Sequence, residues 1–229
     1  MTPLRLNAAA VVWSIPQAII ASALAELPLL LLMHGRGSHE HDLAGLIPLL
    51  PTGVVFAAVR APITVGQKSF SWFDDGQPGM PSAEAADAAV DATLGWLDEL
   101  TTAGHLPTAT SIGVLGFSQG GAMAVHLARR AADRFSSFVN LAGFSIPGEW
   151  PGDEILRSTR PAFFWGRDPE DPVIPSSANQ RTAEWLPRHS TLTERQYPGI
   201  GHSISRDELN DVNAFLAATL LSAGNRVAR

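Results

Sequence analysis

Ser111-Ile112-Gly113-Val114-Leu115-Gly116-Phe117-Ser118-Gln119-Gly120-Gly121-Ala122-Met123-Ala124 is the stretch on which the fold turns. Its first half is a short apolar run without polar alternation, as expected of a strand covered on both faces. Its second half opens a segment of helical character from Gln119 to Ala132. Between them stands Gly-x-Ser-x-Gly, which suits a tight strand-to-helix turn that lifts a serine hydroxyl above the carboxyl end of a parallel sheet. Glycine is needed on either side because a Cβ there would meet the neighbouring strand and helix. The helix N-terminus adds a favourable dipole. Such a motif also arises by chance as a glycine-rich turn with a capping serine; the strand before it and the helix after it make Ser118 a candidate nucleophile.

The same alternation continues outward. Apolar runs at Val11 to Ile15, Leu29 to Met33, Val54 to Val59, Phe138 to Leu141, Ala162 to Trp165 and Leu192 to Gln196 read as strands. Between them lie helical periods. Pro81-Ser82 opens one that places Ala86, Val90, Leu94, Leu97 and Leu100 on one face and stops at Gly104. Others run from Ser176 to Leu186 and from Asp207 to Leu221, the last burying Leu209, Val212, Leu216 and Leu220. Strands alternating with helices predict an α/β fold with a mostly parallel central sheet flanked by helices, as a single domain over residues 1–229. Ala61 to Met80 is the longest stretch without a period, and a loop of that length is usually functional or mobile.

Composition narrows the chemistry. Of 229 residues 45% are hydrophobic and 17% charged, enough for one well-filled core. The net charge of -6 comes without any Lys/Arg-rich block, which argues against nucleic acid as a partner. There is no cysteine, so a cysteine nucleophile, disulfides and thiolate metal sites are excluded together. Leu6 to Ile20 followed by Ala21-Ser22-Ala23 resembles a weak export signal. Asn7, Ser14, Pro16 and Gln17 interrupt it, and an edge strand from Ala8 to Ile15 with a cytoplasmic location is the expectation, with export left open. No stretch predicts stable membrane insertion. The sequence leaves homodimerisation open.

A serine hydroxyl needs a base, and histidine is the sensible type. Of seven histidines, His189 and His202 follow Ser118 late enough for the order Ser, acid, His. His189 precedes the strand Leu192 to Gln196 and belongs at the bottom of the sheet; His202 follows it and is the choice. The acid belongs after Ala162 to Trp165, where Gly166 to Pro175 offers Asp168, Glu170 and Asp171. Asp171, directly before Pro172-Val173-Ile174-Pro175, is preferred, and Asp168 remains the alternative. Its task is to accept the imidazole Nδ1 proton and hold the ring's tautomer. The oxyanion needs two backbone N–H donors: one from Gln119, and one from Arg36 in the turn His34-Gly35-Arg36-Gly37 after Leu29 to Met33. A rival metal-dependent reading gathers His34, His39, His41 and Asp42, although a histidine-rich loop at the site mouth explains the same residues. A non-catalytic binding protein on the same fold is a further alternative, against which an intact Ser, Asp and His in order argue.

Six motifs taken in order, Leu32 to Gly37, Arg60-Ala61-Pro62, Trp72-Phe73, Gly116 to Gly121, Asp171 to Pro175 and Gly201-His202-Ser203, resemble the phospholipase/carboxylesterase family of α/β-hydrolases, which includes the acyl-protein thioesterases. The resemblance implies an α/β-hydrolase fold, a serine carboxylesterase or thioesterase without cofactor, a small ester or thioester substrate and a Ser118, Asp171, His202 triad. It further implies an acyl groove walled in part by Trp72 and Phe73, for which core packing is the plainer alternative. The loop from Gly166 to Asp171 is longer than the family pattern, and His39 to Asp42 is more charged.

Overall fold

The computed structural model describes residues 3–74 and 79–222. Its strands are β1 (Val12–Trp13), β2 (Leu29–Met33), β3 (Val55–Val59), β4 (Ile63–Gly66), β5 (Ser69–Ser71), β6 (Ile112–Phe117), β7 (Ser137–Leu141), β8 (Ala162–Arg167) and β9 (Thr191–Gln196). Its α-helices are α1 (Ile20–Leu24), α2 (Glu40–Ala44), α3 (Ala83–Thr102), α4 (Gln119–Ala131), α5 (Gly152–Thr159), α6 (Ser176–His189) and α7 (Arg206–Leu216). Seven strands form one sheet in the order β1-β3-β2-β6-β7-β8-β9, parallel throughout except that β1 runs antiparallel to β3.

Side-chain alternation divides the apolar residues between the two faces of this sheet. Leu29, Leu31 and Met33 of β2 join Val55, Ala57 and Val59 of β3 in one core with α3 and α4; Leu30, Leu32, Phe56 and Ala58 point to the other, with α7. Every residue of β2 and β3 is therefore buried, which is why these strands read as unbroken apolar runs. All four residues expected to anchor the last helix, Leu209, Val212, Leu216 and Leu220, are buried. In α3 the buried stripe adds Trp96 to the expected Ala86, Val90 and Leu97, while Leu94 and Leu100 are only partly covered. Ser82 caps α3 by accepting the Ala85 N–H, as its place before the helix predicts.

Two expectations are corrected. The stretch from Ala61 to Met80 is not without structure: β4 and β5 pair as an antiparallel hairpin. Strands this short, one of them largely exposed, leave too little periodicity to read; residues 75–78 of the stretch lie outside the described residues. The expected edge strand from Ala8 to Ile15 shrinks to the two residues of β1, with Ala8–Ala10 forming a 3-10 turn, although the Ser14 N–H and Oγ still bond the Phe56 backbone. Among the described residues no helix is long and apolar enough to cross a membrane.

The entry to α7 contains an electrostatic liability. Ser205 accepts the Glu208 N–H, but the Glu208 side chain turns into the fold, where both carboxyl oxygens are buried without a hydrogen-bond partner among the described residues. Burial, together with the Asp211 charge, pushes its carboxyl up to about 7. Because the folded chain then holds this proton more tightly than the unfolded chain, stability falls as pH rises from the ordinary carboxylate range to about 7 and levels off above it. Glu208→Gln should abolish that slope, flattening the pH dependence of urea unfolding by on the order of 2–3 kcal/mol between pH 4.5 and 7. Parallel slopes in the two proteins would show that Glu208 titrates normally.

Candidate active site

Four loops at the carboxyl ends of β2, β6, β8 and β9 converge, with β6 at the middle of the seven-stranded order. Backbone hydrogen bonds lace the exits of β6, β7, β8 and β9 together beyond the regular ladder: Ser118 N–H to the Leu141 carbonyl, Ala142 N–H to Gly166, and Tyr197 N–H to Arg167, all at 2.8 or 2.9 Å.

Ser118 sits at the junction of β6 and α4 with φ 56° and ψ -116°, a conformation few non-glycine residues adopt. The glycines around it are explained by what a Cβ would meet. Added at Gly116 it would lie 2.0 Å from the Gly120 carbonyl oxygen, and at Gly120 it would lie 1.9 Å from that of Met33. The close approach of α4 to β2 and β6 thus requires the motif.

Ser118 Oγ lies 2.9 Å from His202 Nε2, and His202 Nδ1 lies 2.7 Å from Asp171 Oδ2. An ionised carboxylate only accepts, so in the neutral ring Nδ1 carries the proton and Nε2 accepts from the serine hydroxyl. The side chain of Asp171 is almost fully buried, and its other oxygen accepts the Val173 and Ile174 N–H groups at 2.7 and 3.1 Å. That fixes the carboxylate's direction. The Phe117 ring packs against the imidazole, tilted, with centroids 4.9 Å apart.

Asp168, the alternative acid, does a different job. Its Oδ1 accepts the Glu170 N–H at 2.9 Å, and its Oδ2 accepts the Gly201 N–H at 2.7 Å, one residue before His202. These backbone donors hold its carboxyl below the usual carboxylate range. Asp168-Pro169-Glu170 and Asp171-Pro172-Val173 are two copies of one turn, each aspartate bonding the N–H two residues on. They differ in what the second oxygen meets, His202 Nδ1 for Asp171 and the Gly201 N–H for Asp168.

The expected oxyanion loop runs beside the serine, since a Cβ placed on Gly35 would stand 3.4 Å from Ser118 Cβ. Gln119 is the first residue of α4, where backbone N–H groups have no partner within the helix. The His39 and His41 rings pack 6.0 Å apart, but among the described residues no group of three or more His, Asp or Glu side chains could hold a metal ion. His34 accepts the Ala61 N–H at Nε2 and bonds the Gly35 carbonyl through Nδ1, and Asp42 accepts from the Ser38 hydroxyl. The rival metal reading finds no ligand set here among the described residues. His189 ends α6, stacked on Trp185, before β9 and away from the converging loops.

The groove expectation for Trp72 and Phe73 is also corrected. Both are wholly inaccessible to solvent, whereas a groove wall must present surface to its occupant. A polar neighbourhood in sequence misled here, because the hairpin folds both aromatics inward against the main core.

A central parallel sheet carrying a serine elbow, with acid and histidine on later loops, defines an α/β-hydrolase. A profile of the phospholipase/carboxylesterase family matches residues 16–220, and the chain belongs to that family. Acyl-protein thioesterase 1 of Gibberella zeae is 31% identical over 111 residues, 46% of this chain and 46% of the relative, so the chain spans about half the length of that curated relative in the match. The Kluyveromyces lactis protein of the same name is 24% identical over 210 residues, covering 83% of this chain and 91% of its own. A Bacillus cereus carboxylesterase structure shares the fold with a TM-score of 0.75 at 18% identity, covering 91% of this chain and 93% of that one.

Asp171→Asn should lower kcat on the order of 10³–10⁴-fold by leaving His202 in the wrong tautomer. Asp168→Asn, which keeps an acceptor for Gly201, should cost about tenfold. Steady-state kinetics on a p-nitrophenyl ester distinguish them, and the reverse ranking would make Asp168 the acid.

Proposed function

We propose that this chain, working as a single α/β domain, is a serine hydrolase that cleaves a small carboxylic ester or thioester through an acyl-enzyme on Ser118. The observation that supports this most strongly is the continuous hydrogen-bonded path from Asp171 through His202 to Ser118, with both distances below 3 Å. Ser118 Oγ attacks the acyl carbonyl while His202 Nε2 takes its proton, and Asp171 stabilises the imidazolium. The Arg36 and Gln119 N–H groups hold the oxyanion. His202 then returns the proton to the departing alcohol or thiol, and in the second half activates the water that releases the acid.

Relatives named acyl-protein thioesterase and carboxylesterase support ester and thioester substrates alike. We further place the enzyme in the cytoplasm, because the stretch that resembles an export signal contributes β1 to the sheet and Ile20 to the core.

Ser118→Ala should reduce turnover of a p-nitrophenyl ester by on the order of a thousandfold or more. A fluorophosphonate probe should label wild type at Ser118 and leave the variant unlabelled. Activity in the variant within tenfold of wild type would remove Ser118 from the mechanism.

A further inference from the structure

The two oxyanion donors proposed above belong to different strands, Arg36 after β2 and Gln119 after β6. Their strands are in register as far as Met33 beside Gly116, where the ladder between them ends. Beyond it the two stretches pack directly, Gly35 beside Ser118 and Gly120 against the Met33 and His34 carbonyls, and Ser71 to Phe73, at the end of the short hairpin, hydrogen-bonds both.

This segment bonds both sides. The Trp72 indole N–H donates to the His34 carbonyl at 2.8 Å, and the Trp72 backbone N–H donates to Gln119 Oε1 at 2.8 Å. Gln119 Nε2 donates in turn to the Phe73 carbonyl at 2.8 Å. Trp72, Gln119 and His34 are all essentially inaccessible to solvent, so these bonds face little competition from water. The hairpin adds Gly37 N–H to the Phe70 carbonyl and Phe70 N–H to the Ser38 carbonyl, at 2.8 and 2.9 Å.

The geometry of His34 completes the arrangement. Its Nε2 accepts the Ala61 N–H, which leaves the proton of the neutral ring on Nδ1, and Nδ1 donates to the Gly35 carbonyl at 2.7 Å. That carbonyl belongs to the same planar trans peptide as the Arg36 N–H, which therefore points the opposite way. Burial keeps the His34 ring in its neutral form by lowering its pKa.

We propose that Trp72 is a positioning residue for the oxyanion hole: its indole and backbone N–H groups lock the His34–Arg36 turn to the Gln119 side chain, setting the distance between the two donors. The proposal rests on the serine-hydrolase reading and deepens it. Trp72 touches no reacting atom in this account; it acts through His34 and Gln119.

The test uses Trp72→Phe, which keeps aromatic bulk and removes the indole donor, with turnover expressed per active site titrated by fluorophosphonate. A displaced donor should lower kcat about tenfold to a hundredfold and leave KM within about twofold. Affinity for a trifluoromethyl ketone, whose adduct with Ser118 carries an oxyanion, should fall by the same factor as kcat/KM. The pH limb of kcat/KM should not move, since the triad is untouched. A merely structural role would reduce the titratable fraction and leave kcat per titrated site and ketone affinity unchanged, which would overturn the proposal. Should Trp72→Phe fail to fold, Gln119→Met, which removes the amide clamp at similar volume, is read against the same outcomes. If wild type itself is not titrated at Ser118, the hydrolase reading fails and the brace with it.

Discussion

The backbone of Ser118 is the constraint on which the rest depends. A non-glycine residue at φ 56° and ψ -116° costs on the order of 1–3 kcal/mol, which its surroundings must offset. They do so from three sides: the Ser118 N–H bonds β7, its carbonyl accepts the Ala122 N–H in α4, and glycines let α4 press on the backbone of β2 and β6. Because Ser118 directly follows the central strand, both neighbouring exits fall within reach, and the loops carrying Asp171 and His202 arrive from the adjoining half of the sheet.

Precision around the serine is achieved by buried backbone groups more than by charged side chains. Asp171 is aimed by two N–H groups of its own loop, and Asp168 ties that loop to the one carrying His202. On the opposite side the hairpin joins the turn after β2 to the start of α4. The site is thus clasped from two directions, by a pair of Asp-Pro-x turns and by one tryptophan.

Much of this was legible in the sequence because it follows from local rules. Strands such as β2 and β6 announce themselves as apolar runs, and the glycines at 116 and 120 forecast the elbow they permit. The order of Ser118, acid and His202 follows from chain order in the fold. What was not legible depends on tertiary contact. The choice of Asp171 over Asp168 was legible from the Pro172-Val173-Ile174-Pro175 that follows it, but the job of Asp168, bonding the Gly201 N–H, was not. Trp72 and Phe73, next to Ser69, Ser71 and Asp74, look solvent-facing until the hairpin is folded. His34 looks like a metal ligand until both its ring nitrogens are seen to be engaged by backbone.

The central claim is that this framework presents one nucleophile and two converging N–H donors. A crystal structure of the protein after reaction with a small phosphonate tests it most directly, because the tetrahedral adduct carries an oxygen in the oxyanion position. The account predicts a covalent bond to Ser118 Oγ with that oxygen within about 3 Å of both the Arg36 and Gln119 nitrogens. A phosphonyl oxygen turned to solvent, or an adduct on another residue, would contradict it.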